Sequence, residues 1–84
     1  MSAYSLQKMI RDINRDPALR ERYFSDARQV FPGYELSEAE REAVLARDFG
    51  ALYRLGVHGL LLRPFSIMHQ VSEPDYLSAI RQRS

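Results

Sequence analysis

The chain has 84 residues, of which 12 are basic and 11 acidic, with two histidines and no cysteine. That length makes one domain, residues 1–84, and a domain this small buries only about 60–65% of its unfolded surface, so tight packing, self-association or a partner must add stability. No disulfide can form, two histidines are too few for a structural zinc site, and Arg11, Arg15, Arg20, Arg22 and Arg28 alternate with Asp12, Asp16, Glu21 and Asp26, so there is no basic stripe for nucleic acid.

In chain order, Leu6, Met9, Ile10 and Ile13 recur at i, i+3, i+4 and i+7, the apolar stripe of an amphipathic helix from about Tyr4 to Asn14. Asp16-Pro17 then reads as a helix start: the aspartate can accept an orphan backbone N–H, and proline at the first helical position forfeits no hydrogen bond. Leu19, Tyr23 and Phe24 are its expected inner side. A short helical turn from Asp26 to Phe31 should be stopped by Pro32-Gly33. Ser37 and Glu40 stand three apart as a capping box, opening a helix that carries Val44 and Leu45 inward and ends near Arg47. Asp48 is placed to cap the next helix, with Leu52, Tyr53 and Leu55 inside and Gly56 at the left-handed position past its end.

The stretch from Gly59 to Met68 is the most apolar in the chain, and Pro64 within it predicts a kink or a break. Three consecutive leucines, Leu60, Leu61 and Leu62, point around most of a helix, so part of that surface is expected to meet another chain. Ser72 with Glu73, Pro74 and Asp75 signals a last helix carrying Tyr76, Leu77 and Ile80. No window alternates with the period of a strand. The fold expected is all-α, a single small domain of five or six short helices.

Constellations that would carry chemistry are weak. His58 and His69 stand eleven residues apart, with Asp48, Glu73 and Asp75 as nearby carboxylates. A non-heme iron site needs two histidines and a carboxylate converging on one point, and nothing in this spacing forces convergence. The plainer expectation is that His58 packs at a helix start with its ring hydrogen-bonded, and that His69 is a surface or interface residue. Ser66 and Ser72 lack a nucleophile elbow, and no glycine loop cradles phosphate. No catalytic residue and no metal ligand is assigned. A helix-turn-helix over Arg41 to Pro64 would turn Leu60, Leu61, Leu62 and Phe65 toward a groove of hydrogen-bonding base edges, which excludes DNA. The apolar run is far short of the ~20 residues that span a bilayer, and the N-terminus lacks the features of a signal peptide. No nucleic acid and no membrane partner is expected, and a cytoplasmic location is.

Taken together, Asp16-Pro17-Ala18-Leu19-Arg20-Glu21-Arg22, Leu36-Ser37-Glu38-Ala39-Glu40-Arg41, the stretch from Leu45 through Ala46-Arg47-Asp48-Phe49-Gly50-Ala51-Leu52 to Tyr53, and Gly56-Val57-His58 resemble one family in one order. That family is the small, alpha subunit of the protocatechuate 4,5-dioxygenase type of extradiol ring-cleavage enzymes. Ser72 and Tyr76 are similar to its C-terminal helix, and the resemblance runs over roughly residues 4–80. The resemblance implies a helical subunit without iron ligands that docks on, and caps the active site of, a larger subunit holding Fe(II). No cofactor is then expected in this chain. The chain departs from the family in having Gly59 where proline often follows the histidine, and in a shortened region from Phe65 to Ser72. By position, Leu61, Phe65, Met68 and His69 are the candidates for a substrate-capping or partner interface, and His58 for a polar structural or pocket role. The alternative is a free-standing interaction module that keeps the fold as a homodimer without a dioxygenase partner. A third resemblance, of the Asp-Pro-x-Leu-Arg start to the helical leaders of modified-peptide precursors, would need a small-residue cleavage site and a Cys-, Ser- or Thr-rich tail, and residues 80–84 supply neither.

Overall fold

The computed structural model describes the backbone of residues 2–83 and the side chains of residues 4–81. Six α-helices follow one another: α1 (Ser2–Arg15), α2 (Pro17–Ser25), α3 (Glu38–Ala46), α4 (Phe49–Arg54), α5 (Gly59–Met68) and α6 (Glu73–Arg83), with two 3-10 turns, Ala27–Gln29 and Phe31–Gly33, between α2 and α3. There is no strand among the described residues, and no helix is long and apolar enough to cross a membrane. The all-α expectation holds.

The stripe of α1 is the first wall of the core: Leu6, Met9, Ile10 and Ile13 are fully buried. They pack α1 against α2 and α5, while α4 lies against α3, α5 and α6. Leu62 and Phe65 from α5, Leu52 and Phe49 from α4, Val44 from α3 and Tyr23 from α2 complete the interior. Burying each such side chain contributes about 1.5–3 kcal/mol relative to leaving it in water.

The junctions are set by local hydrogen bonds. Asp16 Oδ1 accepts from the backbone N–H groups of Ala18 and Leu19 at 3.0 and 3.3 Å. The guanidinium of Arg20 reaches back to the carbonyls of Ile13 and Asn14 at 3.3 and 2.6 Å, satisfying acceptors that the end of α1 leaves open. The Ser37–Glu40 capping box forms in both directions, at 2.8 and 3.2 Å. Tyr34 donates its hydroxyl to Asp12 at 2.6 Å, which holds that carboxyl below its usual range and pushes the phenol, already desolvated, up to about 12.

Several expectations are corrected. Leu45 and Tyr53 are 39% and 44% exposed, and Phe24 is 41% exposed; in each case the apolar neighbour (Val44, Leu52 or Tyr23) takes the inward position, because residues one apart lie about 100° around the helix from each other. Phe49, one step inside the Asp48 cap, takes the place in the core that Tyr53 was expected to fill. Pro32 and Gly33 do not stop the chain after Phe31; they form the second 3-10 turn themselves.

Pro64 neither breaks nor ends α5, which runs through it. Proline removes the N–H that would bond the Leu60 carbonyl and loosens the preceding turn. Asn14 Nδ2, from α1, donates to the next carbonyl in that turn, Leu61, at 3.1 Å. A tertiary contact therefore holds the weakened turn.

Candidate functional site

α5 and its two flanking caps carry all the sequence candidates, and the two faces of the helix differ sharply. Inward lie Leu62 and Phe65, with Ser66, whose hydroxyl donates to the Arg63 carbonyl at 2.7 Å. Outward lie Leu60, 80% exposed, Pro64, and Ile67, 55% exposed. These three stand at i, i+4 and i+7, so they form one apolar stripe on the solvent side. Leu61 and Met68 are half-buried at its margin and pack against the core. Leu61 also borders a shallow cavity of about 190 Å³ with Tyr4, Gln7, Lys8 and Arg11 of α1.

The one charged residue of α5, Arg63, is turned away from the stripe. Its guanidinium donates to Ser66 Oγ at 3.1 Å and to the Val71 carbonyl at 3.4 Å, and lies 5.1 Å from the centre of the Tyr76 ring. Long charged side chains often lie along apolar surface in this way, and here the result is a stripe with no charge.

His58 and His69 close the two ends of α5. His58 is the N-cap: its ring Nδ1 accepts from the Leu60 N–H at 3.0 Å, and its backbone N–H donates to Gln7 Oε1 at 3.0 Å. Its side of the chain is exposed. His69 follows the last turn and is a half-buried member of an aromatic cluster, not a surface residue. The rings of Phe65, Phe24, Tyr23 and Phe49 are centred 4.8, 5.0, 5.4 and 5.5 Å from it, all edge-on. The Tyr23 hydroxyl lies 2.9 Å from Nε2, and Nδ1 is buried with no hydrogen-bond partner among the described residues. Burial, with a smaller contribution from the Arg47 charge, lowers the pKa of His69 from 6.5 to about 4, and burial raises that of Tyr23. At neutral pH the pair is therefore an uncharged imidazole and an uncharged phenol.

The two histidine rings do not converge on one point. His58 Nδ1 is committed to a helix cap, His69 Nε2 to Tyr23, and the ten residues of α5 lie between the two, a rise of about 16 Å. Among the described residues no group of three His, Asp or Glu side chains is placed to hold a metal ion. The free nitrogen of His69 is buried, so this ring does not present a nitrogen to an external substrate as a general base must.

Phe65 thus lies beneath the outer face of α5, the half-buried Leu61 and Met68 flank it, and His58 and the half-buried His69 secure its two ends. Sequence reasoning expected part of the surface of Leu60, Leu61 and Leu62 to meet another chain but did not single out Leu60 and Ile67, although their spacing with Pro64 was visible. The Tyr23–His69 contact, spanning 46 residues, carries no sequence signal.

Residues 6–84 match the family described as the LigA subunit of the aromatic-ring-opening dioxygenase LigAB. No curated protein and no solved structure matches the chain. With 79 of its 84 residues inside the match, the chain belongs to the LigA-subunit family of LigAB-type aromatic-ring-opening dioxygenases.

Proposed function

We propose that the chain is a non-catalytic small subunit that docks on a larger, Fe(II)-bearing extradiol dioxygenase subunit in the cytoplasm and closes over its active site. The observation that carries this reading is the family match over residues 6–84. The chemistry of the chain is consistent with it: both histidines are engaged in structural hydrogen bonds. A helical cover would act by excluding water and restricting the orientation of the aromatic ring. His58 is exposed and Leu61, Met68 and His69 are half-buried, so these are the sequence candidates accessible enough to meet a partner or a substrate, while Phe65 would act by setting the position of α5 from below.

The test is a ring-opening assay on a panel of catechols with the LigB-type large subunit of the same organism, with this chain, and with both. The expected result is no turnover by this chain alone, iron recovered with the large subunit, and kcat/KM raised at least about tenfold by one equivalent of this chain. A chain that forms a stable homodimer and leaves the kinetics of the large subunit untouched would instead establish the free-standing module.

A further inference from the structure

The reading above leaves open which surface meets the large subunit. From the geometry of α5 we infer that its outer face, Leu60, Pro64 and Ile67 together with the Leu60 carbonyl, seats on the large subunit, whose matching surface is an uncharged apolar hollow containing one hydrogen-bond donor. This inference rests on the subunit assignment and adds the face and its chemistry.

Three observations carry it. The first is the absence of charge. Leu60 and Ile67 are the most exposed aliphatic side chains described, and Arg63, which could have shielded them, is bound to Ser66, Val71 and the Tyr76 ring instead. Interface centres are depleted of charge in the same way.

The second is Pro64. A proline inside a helix costs about 3 kcal/mol relative to alanine, and here it takes the i+4 donor from the carbonyl of Leu60, a residue that is itself 80% exposed. Asn14 compensates at Leu61, not at Leu60. An apolar stripe is thereby given a single acceptor, which a covering surface must satisfy with a donor to avoid burying an unpaired polar group.

The third is size. A stable interface takes about 800 Å² from each partner, roughly 15% of the 5316 Å² this chain exposes. The stripe is only about 10 Å long, so it supplies the centre. The cavity beside Leu61, lined by Tyr4, Gln7, Lys8 and Arg11, supplies a mixed rim. An apolar centre with a polar rim is how binding energy is usually distributed.

The test uses the double variant Leu60→Glu/Ile67→Glu and, separately, Pro64→Ala, each titrated against the purified LigB-type large subunit by calorimetry and sedimentation. Both glutamates replace exposed side chains, so the helicity and Tm of the free chain should not change. Association should weaken at least 100-fold for the double variant. Pro64→Ala restores the donor to Leu60 and should raise the Tm of the free chain while weakening binding about tenfold. If the wild-type chain binds and the double variant binds equally well, the face is wrong and the subunit assignment stands. If Pro64→Ala binds like wild type, the carbonyl plays no part and that element of the inference falls. If the wild-type chain ignores the large subunit and forms a dimer that Leu60→Glu/Ile67→Glu dissociates, the face is a self-association surface, and both the inference and the subunit assignment fall.

Discussion

His69 and Tyr23 tie the end of α5 to α2 through one 2.9 Å contact inside a ring of phenylalanines, and this has a consequence for pH. The folded state holds His69 neutral down to about pH 4, whereas an unfolded chain protonates it near 6.5. Between those values the unfolded state binds more protons, so stability rises with pH there. The contribution is fully present above about pH 6.5 and is lost as pH falls toward 4. Chemical denaturation at several pH values should show this slope in the wild type, and His69→Gln, which keeps a partner for Tyr23, should lack it. An equal slope in the variant would assign the dependence to other groups. At the same scale, three helix ends close on left-handed residues with paired carbonyl contacts: Arg47, Gly56 and Gln70, at φ of 55°, 108° and 63°. Only Gly56 was legible in the sequence. The other two carry side chains in a conformation that costs an L-residue about 1–2 kcal/mol, and packing imposes it on them.

At the scale of the element, the capping signals were reliable because they are local. Asp16, Ser37, Asp48 and Ser72 each cap the helix that their position indicated. Which of two adjacent apolar residues turns inward was not local. Val44 against Leu45, and Leu52 against Tyr53, differ only in rotation about short helices, and the neighbouring helices decide that rotation. Pro64 belongs here too: it pointed to a kink or a break, yet α5 runs on without a break because Leu62 and Phe65 are buried on either side and Asn14 supports the weakened turn. Pro64→Ala should stabilise the isolated chain by about 1–3 kcal/mol, below or up to the full helix-interior cost of proline, visible as a higher urea midpoint at unchanged m. A destabilised variant would mean that the ring's own packing outweighs the restored hydrogen bond.

For the whole molecule, the core is drawn from all six helices but is thin, as it must be in 84 residues. A partner that binds only the folded chain adds stability by mass action, about 2.7 kcal/mol at one hundred times Kd. For a domain of this size that corresponds to a rise in Tm of roughly 10 °C or more. Calorimetric scans with and without excess large subunit should show it, and a Tm that does not move would count against association.

The sequence by itself determined the helical class, the caps, the amphipathic register of α1 and the family, because each depends on neighbours within a few residues or on an ordered string of short motifs. Only the tertiary structure decided what the apolar run from Leu60 to Met68 does. Periodicity shows that such a helix has a stripe to spare, but not which side the core will take. Packing against α1 and α4 buried Leu62 and Phe65 and left Leu60, Pro64 and Ile67 outside. It also drew His69 in among aromatic rings from α2, α4 and α5. Contacts between residues 46 apart are set by how the helices close on one another, and a single chain of letters does not encode that closure in any local pattern.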